Sequence, residues 1–142
     1  MVEAVLEDIA VAGEGSQFLV LLRTKDDEIL PIVIDALQAM SIAAGRNKEN
    51  SLGRPLTHDL MISALEMFDA SVARVEITDL VDGTYYSMLI LERQGVHFEV
   101  DARPSDALAL AVRAGCPILV AQHVIEQNAL TDDYSDEGGF EA

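Results

Sequence analysis

The sequence predicts an α+β domain: a duplicated β-β-β-α unit forming a largely antiparallel mixed sheet with packed helices. Three observations carry this expectation. Apolar runs of strand length and β-rich composition alternate with turn-forming residues. Two segments of helix composition each end at a glycine. Finally, the same order of elements recurs at a constant offset of 70 residues. Val5 then meets Val75, Val11 meets Val81, Gly13 meets Gly83, and Leu19, Leu21 and Arg23 meet Leu89, Leu91 and Arg93. Ala39, Ala44 and Gly45 likewise meet Ala109, Ala114 and Gly115.

The first unit opens with "VEAVLEDIAVA" and "QFLVLLRT", strands joined through the turn-like "GEGS". "ILPIVI" is the third strand, after the polar "KDDE". "DALQAMSIAAG" follows as a helix, with Asp35 as N-cap and Gly45 where the helix stops. In the second unit "SVARVEITDLV" and "TYYSMLILER" flank Asp82-Gly83, a strong hairpin signal. "VHFEVDA" and then "PSDALALAVRAG" repeat the third strand and the helix. Between the units "GRNKENSLGRP" reads as an exposed mobile loop, and "THDLMISALEMF" as a helix. Thr57 is its expected N-cap, and Leu60, Ala64, Leu65 and Phe68 its apolar face. "PILVA" is a short buried strand, and "HVIEQNA" a last helical turn or two. We therefore expect one domain over residues 1–130, with its repeat at about 3–45 and 73–115. An acidic, disordered tail is expected at 131–142.

Composition limits what such a domain does. Half of the 142 residues are hydrophobic, yet there is no Trp and only 7 are Phe or Tyr, so the core is aliphatic. No apolar run approaches the roughly 20 residues that span a bilayer. The N-terminus lacks the basic start of a signal peptide. A single cysteine, Cys116 in "GCPILV", excludes an internal disulfide and reads as a small buried hydrophobe in a reducing cytoplasm. The net charge of −16 argues against loose, nonspecific nucleic-acid binding, which rests on Lys and Arg neutralising phosphates. A polyanionic substrate needs a local basic patch or a bound divalent cation. Arg46, Lys48 and Arg54 concentrate a third of the nine basic residues within nine positions.

The duplication also sorts the polar residues. At the common offset Ser105 occupies the place of Asp35, and both are good N-caps, so capping is its expected role. Asp101, Arg103 and Asp106 have no polar twins, facing Pro31, Val33 and Ala36. Two readings stay open for them. They are helix-dipole and ion-pair residues, or they form a site in which Arg103 and the helix N-terminus hold phosphate and the carboxylates bind Mg²⁺ or Mn²⁺. "RPLTHD", residues 54–59, sets a similar arginine-proline pair before a helix start that carries His58 and Asp59. Histidine suits proton transfer near neutral pH. His97 and His123 have no acid partner at suggestive spacing. Residues 107–112 are apolar all round, which leaves either an oligomer interface or a central helix wrapped by the chain's own sheet. There is no Gly-rich phosphate loop, HExxH, paired CxxC or GxSxG elbow.

"RPLTHDLM", "DLVDGTYYSMLIL" and "DARPSDALALAVRAGCPILV" resemble, in type, order and spacing, the core of the bifunctional nuclease domain family. The resemblance covers roughly residues 3–130. It implies an α+β fold, an oligomer usually described as a dimer, and cytoplasmic hydrolysis of phosphodiester bonds in DNA and RNA. The family's motif residues fall on Arg54, Pro55, Thr57, His58 and Asp59, and on Asp101, Arg103, Pro104, Ser105 and Asp106.

The functional expectation is a divalent-metal-assisted nuclease. Asp101, Asp106 and Asp59 would hold Mg²⁺ or Mn²⁺, and His58 would be general acid or base. Arg103, Arg54 and Ser105 would contact phosphate, with Arg46 and Lys48 steering the backbone. The alternative is a non-catalytic oligomeric module that binds a small anion or a protein partner.

Overall fold

In the computed structural model, which describes residues 1–13, 17–47 and 53–130, the chain runs twice through β-β-β-α. The first pass is β1 (Val2–Ala12), β2 (Gln17–Thr24), β3 (Ile29–Asp35) and α1 (Ala36–Arg46). Helix α2 (Thr57–Met67) leads to β4 (Ala70–Val81), β5 (Thr84–Arg93), β6 (Val96–Ala102) and α3 (Pro104–Ala114). Strand β7 (Ile118–Val120) and helix α4 (Gln122–Asn128) complete the described elements. The sheet has the order β3-β2-β1-β7-β4-β5-β6. Each half is an antiparallel meander, and β7 joins the halves by pairing antiparallel with β1 and parallel with β4. The fold is the expected α+β class with a mixed, mostly antiparallel sheet. Lys48 and the acidic tail at 131–142 lie outside the described residues, as do 48–52 of the interunit loop and 14–16 of the GEGS turn.

Local chemistry explains the element ends. Asp82 and Gly83 take positive φ values of 51° and 80°, the two left-handed residues that a tight hairpin needs. Pro31 is tolerated within β3 because β3 is an edge strand and needs fewer ladder donors. Asp35 caps α1 as expected, accepting from Gln38 N–H at 2.8 Å, while the Gln38 side chain accepts from Asp35 N–H at 2.9 Å.

Other ends depart from expectation. Helix α1 continues through Gly45 to Arg46, because Gly45 is where α3 comes closest; an added Cβ would fall 2.6 Å from both Arg113 Nη1 and Val112 Cγ2. Thr57 is the first helical residue of α2 and not its cap, which is Leu56; the Asp59 carboxylate takes the Leu56 N–H at 2.8 Å. Ser105 is likewise not a cap. Arg103 occupies the cap position and Pro104, with its preset φ, opens the helix, so Ser105 lies inside the first turn.

One hydrophobic cluster spans both halves of the sheet and all of α3 from Ala107 to Ala111. The apolar α3 is thus covered by its own sheet and by α1 and α2, so its composition requires no second subunit. Helix α2 is the surface element. It turns Ile62 and Leu65 toward the core and leaves Leu60 61% and Phe68 70% exposed, so of the expected face Leu65 packs inward while Leu60, Ala64 and Phe68 do not. Among the described residues no helix is long and apolar enough to cross a membrane.

Candidate active site

The three larger helices converge on one polar network. Helix α2 brings His58 in its first turn, α3 brings Asp106 in its first turn and Arg113 in its last, and α1 brings Ser41 from its middle. His58 Nδ1 lies 2.6 Å from Ser41 Oγ, and Nε2 lies 2.9 Å from Asp106 Oδ1. The other oxygen of Asp106 accepts from Arg103 Nε at 3.2 Å. Ser41 also meets the inner end of Arg113, whose Nη1 donates to the Ser41 carbonyl at 3.0 Å and to the Ala109 carbonyl at 2.8 Å. Arg113 Nε donates to Asp59 Oδ1 at 2.7 Å.

The two arginines do different jobs. The Arg113 side chain is 7% exposed and holds two carbonyls and one carboxylate, so it ties α1, α2 and α3 together. The Arg103 side chain is 72% exposed, and its terminal nitrogens make no hydrogen bond among the described residues. Both partnered carboxylates are held in the charged form. The Arg113 hydrogen bond, then that of Leu56 N–H, keeps Asp59 below the ordinary carboxylate range. Burial pushes Asp106 up, but hydrogen bonds from His58 and Arg103 outweigh it and leave it lowered. With Asp106 ionised, His58 Nε2 is the donor in their contact.

Asp101 does not join this group. Its neighbour Ala102 packs against the core, so strand alternation turns Asp101 to the sheet face away from the helices, beside Met88 and Tyr86. Asp59, for its part, is engaged by Arg113. Among the described residues no three His, Cys, Asp or Glu side chains stand close enough to share a metal ion, so the trio Asp59, Asp101 and Asp106 is not brought together. Arg46 donates to the Glu7 carbonyl at 3.3 Å, and Arg54 is exposed before α2. His97 and His123 do have acid partners, Glu92 at 3.1 Å and Asp79 at 3.2 Å, in exposed pairs. Cys116 is half-buried, and burial pushes its thiol up, away from nucleophile chemistry.

Sequence reasoning named His58, Asp106 and Arg103 but missed Ser41 and Arg113. The available signal was their setting: each is a polar residue inside an otherwise apolar helix, where exposure does not explain it.

Comparison with known proteins adds an independent finding. A sequence profile of the bifunctional nuclease domain matches residues 20–133. Uncharacterised proteins from two strains of Mycobacterium tuberculosis are 40% identical over 131 residues, covering 91% of this chain and 77% of theirs. A protein named bifunctional nuclease 1 from Oryza sativa subsp. indica is 32% identical over 117 residues, which is 78% of this chain but 35% of the plant protein. One of the same name from Arabidopsis thaliana is 27% identical over 99 residues. The chain therefore spans about a third of these plant relatives.

Proposed function

The chain belongs to the bifunctional nuclease domain family, and from that premise we propose that it hydrolyses phosphodiester bonds of DNA, RNA or both at the His58–Asp106–Arg103 cluster. The observation that carries the reading is the line of contacts itself. Residues from α2 and α3, 48 positions apart, place a histidine on an ionised carboxylate and that carboxylate on an exposed arginine. The two ends of His58 are unlike. Nδ1 is spent on buried Ser41, whereas Nε2 faces Asp106, whose side chain is 37% exposed. A polymeric substrate reaches only the Nε2 end.

The roles follow from that asymmetry. The outer nitrogens of Arg103 bind nonbridging phosphate oxygens, for which a guanidinium is well shaped. Water attacks the phosphorus and gives its proton to the Asp106 carboxylate, while protonated His58 passes its Nε2 proton to the leaving oxygen. Asp106 then returns a proton to Nε2, 2.9 Å away, and restores the pair. Asp106 stabilises the imidazolium and fixes its orientation. Ser41 is a positioning residue: it holds the ring from behind, as Arg113 in turn holds Ser41. Arg54, close before α2, and Arg46 are assigned to flanking phosphates in this reading. The carboxylates Asp59, Asp101 and Asp106 do not fit a shared Mg²⁺ or Mn²⁺ ion, and no step is routed through one.

The test is cleavage of end-labelled single-stranded RNA and DNA by identically purified wild-type, His58→Ala and Ser41→Ala proteins, with Mg²⁺, Mn²⁺ or EDTA. His58→Ala should lose about 10²–10⁴-fold in rate while staying folded. Ser41→Ala should keep part of the activity. Equal cutting by all three proteins would mean a contaminant or another site. Complete loss in folded Ser41→Ala would instead make Ser41 the nucleophile.

A further inference from the structure

A cavity of about 400 Å³ lies on the other side of the α3 start. Its walls come from edge strand β3, the β4–β5 turn and the end of α4, and its size falls within the range of small-ligand sites. Ile32, Ile34 and Leu80 make most of it apolar. Thr84, Tyr85 and Asn128 are polar lining residues from β5 and α4, with Tyr85 Oη bonded to the Pro31 carbonyl and to Asn128, and Arg103, Pro104 and Ser105 line it where α3 begins.

That end presents unpaired donors. No side chain caps α3, and its first backbone bond runs from Ala107 N–H to Arg103 O, so the Ser105 and Asp106 amides lie ahead of it. Four polar residues are buried among those described: Thr24, Ser41, Ser87 and Ser105. Three hydroxyls have partners, Thr24 with Glu28, Ser41 with His58 and Ser87 with the Ala102 carbonyl. Ser105 is 6% exposed and lines the cavity, yet its hydroxyl makes no hydrogen bond among the described residues. Gln38 lines the same cavity; its side-chain oxygen is taken by Asp35 N–H, and its NH₂ group makes no hydrogen bond among the described residues. Arg103 is also in the lining, with Nε on Asp106 and its outer nitrogens without a partner among the described residues. The Asp106 carboxylate itself faces His58 and Arg103 and takes no part in the lining.

The start of α3 with the Ser105 hydroxyl, the Gln38 carboxamide and the Arg103 guanidinium thus line one space whose lining holds no carboxylate. Such a set, at the positive end of a helix, fits a tetrahedral oxyanion. We propose that this cavity binds a terminal phosphate group, either orthophosphate or the phosphate monoester of a nucleotide. The apolar walls suit the body of an attached nucleoside. The nucleotide form rests on the nuclease reading: Arg103 touches both the cavity and Asp106, so a phosphorylated chain end seated here lies beside the His58–Asp106 pair.

The experiment is a titration of the protein in EDTA with inorganic phosphate, a 5′-mononucleotide, and oligonucleotides with and without a terminal phosphate. Backbone amide resonances are followed against a chloride control of equal ionic strength. The Ser105 and Asp106 amides should shift and saturate, and Ser105→Ala should weaken binding at least tenfold without changing the melting curve. Stronger binding of the mononucleotide and the phosphorylated oligonucleotide than of inorganic phosphate identifies a nucleotide end as the ligand. Equal binding identifies free phosphate. Absence of shifts at both amides, or unchanged affinity in folded Ser105→Ala, overturns the proposal. His58→Ala keeps the two readings apart. It should retain phosphate binding while losing cleavage; wild-type cleavage without any phosphate shift would sink the cavity and spare the nuclease.

Discussion

The starts of α1 and α3 occupy equivalent places in the two halves of the sheet, and they are furnished in opposite ways. At α1 the polar side chains are spent on the helix: Asp35 and Gln38 satisfy each other's backbone amides. At α3 a proline opens the helix, the amides go uncapped, and the polar side chains face outward to His58, to solvent and to a cavity. One start completes the fold, and the other leaves hydrogen-bonding capacity over. The difference teaches where to look for chemistry in a repeated architecture: at the copy whose polar groups the architecture does not use.

Substitutions at matched positions sharpen this contrast. The largest effect should come from Asp106→Ala, which is expected to lower the cleavage rate by about 10²-fold or more with little change in unfolding midpoint. Its counterpart at the other start, Asp35→Ala, should do the reverse. If Asp106→Ala unfolds the protein, or if Asp35→Ala abolishes cleavage, the two starts are not divided as described.

Next in size is the pair of glycines. Gly45→Ala forces a methyl against Arg113 and Val112 and should cost about 1–3 kcal/mol in urea unfolding. Gly115, at φ 69°, ends α3 in the left-handed region, and Gly115→Ala should cost about 1–2 kcal/mol. Loss of the Asp35 cap should cost about 1 kcal/mol.

The smallest effect is a pH dependence. Asp59 and Asp106 are both lowered by folding, so their contribution to stability is present above the ordinary carboxylate value of 3.8 and is lost as pH falls through the lower folded values. The melting temperature should therefore fall more steeply below that value in wild type than in Asp59→Asn. Parallel curves would remove the Arg113–Asp59 tie from the account.

Most of the fold was legible in the sequence. Strands show a period of two, Asp82-Gly83 and Gly115 are turn and stop signals with a single backbone meaning, and the offset of 70 residues doubled every inference. What failed depended on contacts distant in sequence. The buried face of α2 is fixed by His58 reaching Ser41 and Asp106, and by Asp59 reaching Arg113, so polar contacts in its first turn override the apolar stripe of Leu60, Ala64 and Phe68. Asp101 was grouped with Asp106 because they are five residues apart, but a strand carries one and a helix the other, and strand alternation separates them. Ser41 and Arg113 were passed over because the sequence shows them only as polar residues in apolar helices and does not show the partners, His58 and Asp59, that hold them. Gly45 was read as a stop because glycine commonly ends helices, and only the packing of α3 shows its other use.

The three-residue strand β7 has a consequence for the order of events during synthesis. The inner edges of both meanders, β1 and β4, find their neighbour only in Ile118–Val120. A ribosome that has finished the first meander at Asp35 has made a sheet with a bare inner edge, and it must add the whole second unit before the strand that covers it, Ile118–Val120, emerges. Until then that edge is open to any passing chain. The halves carry most of the sheet, but the timing of their union belongs to a segment of three residues near the end of the domain.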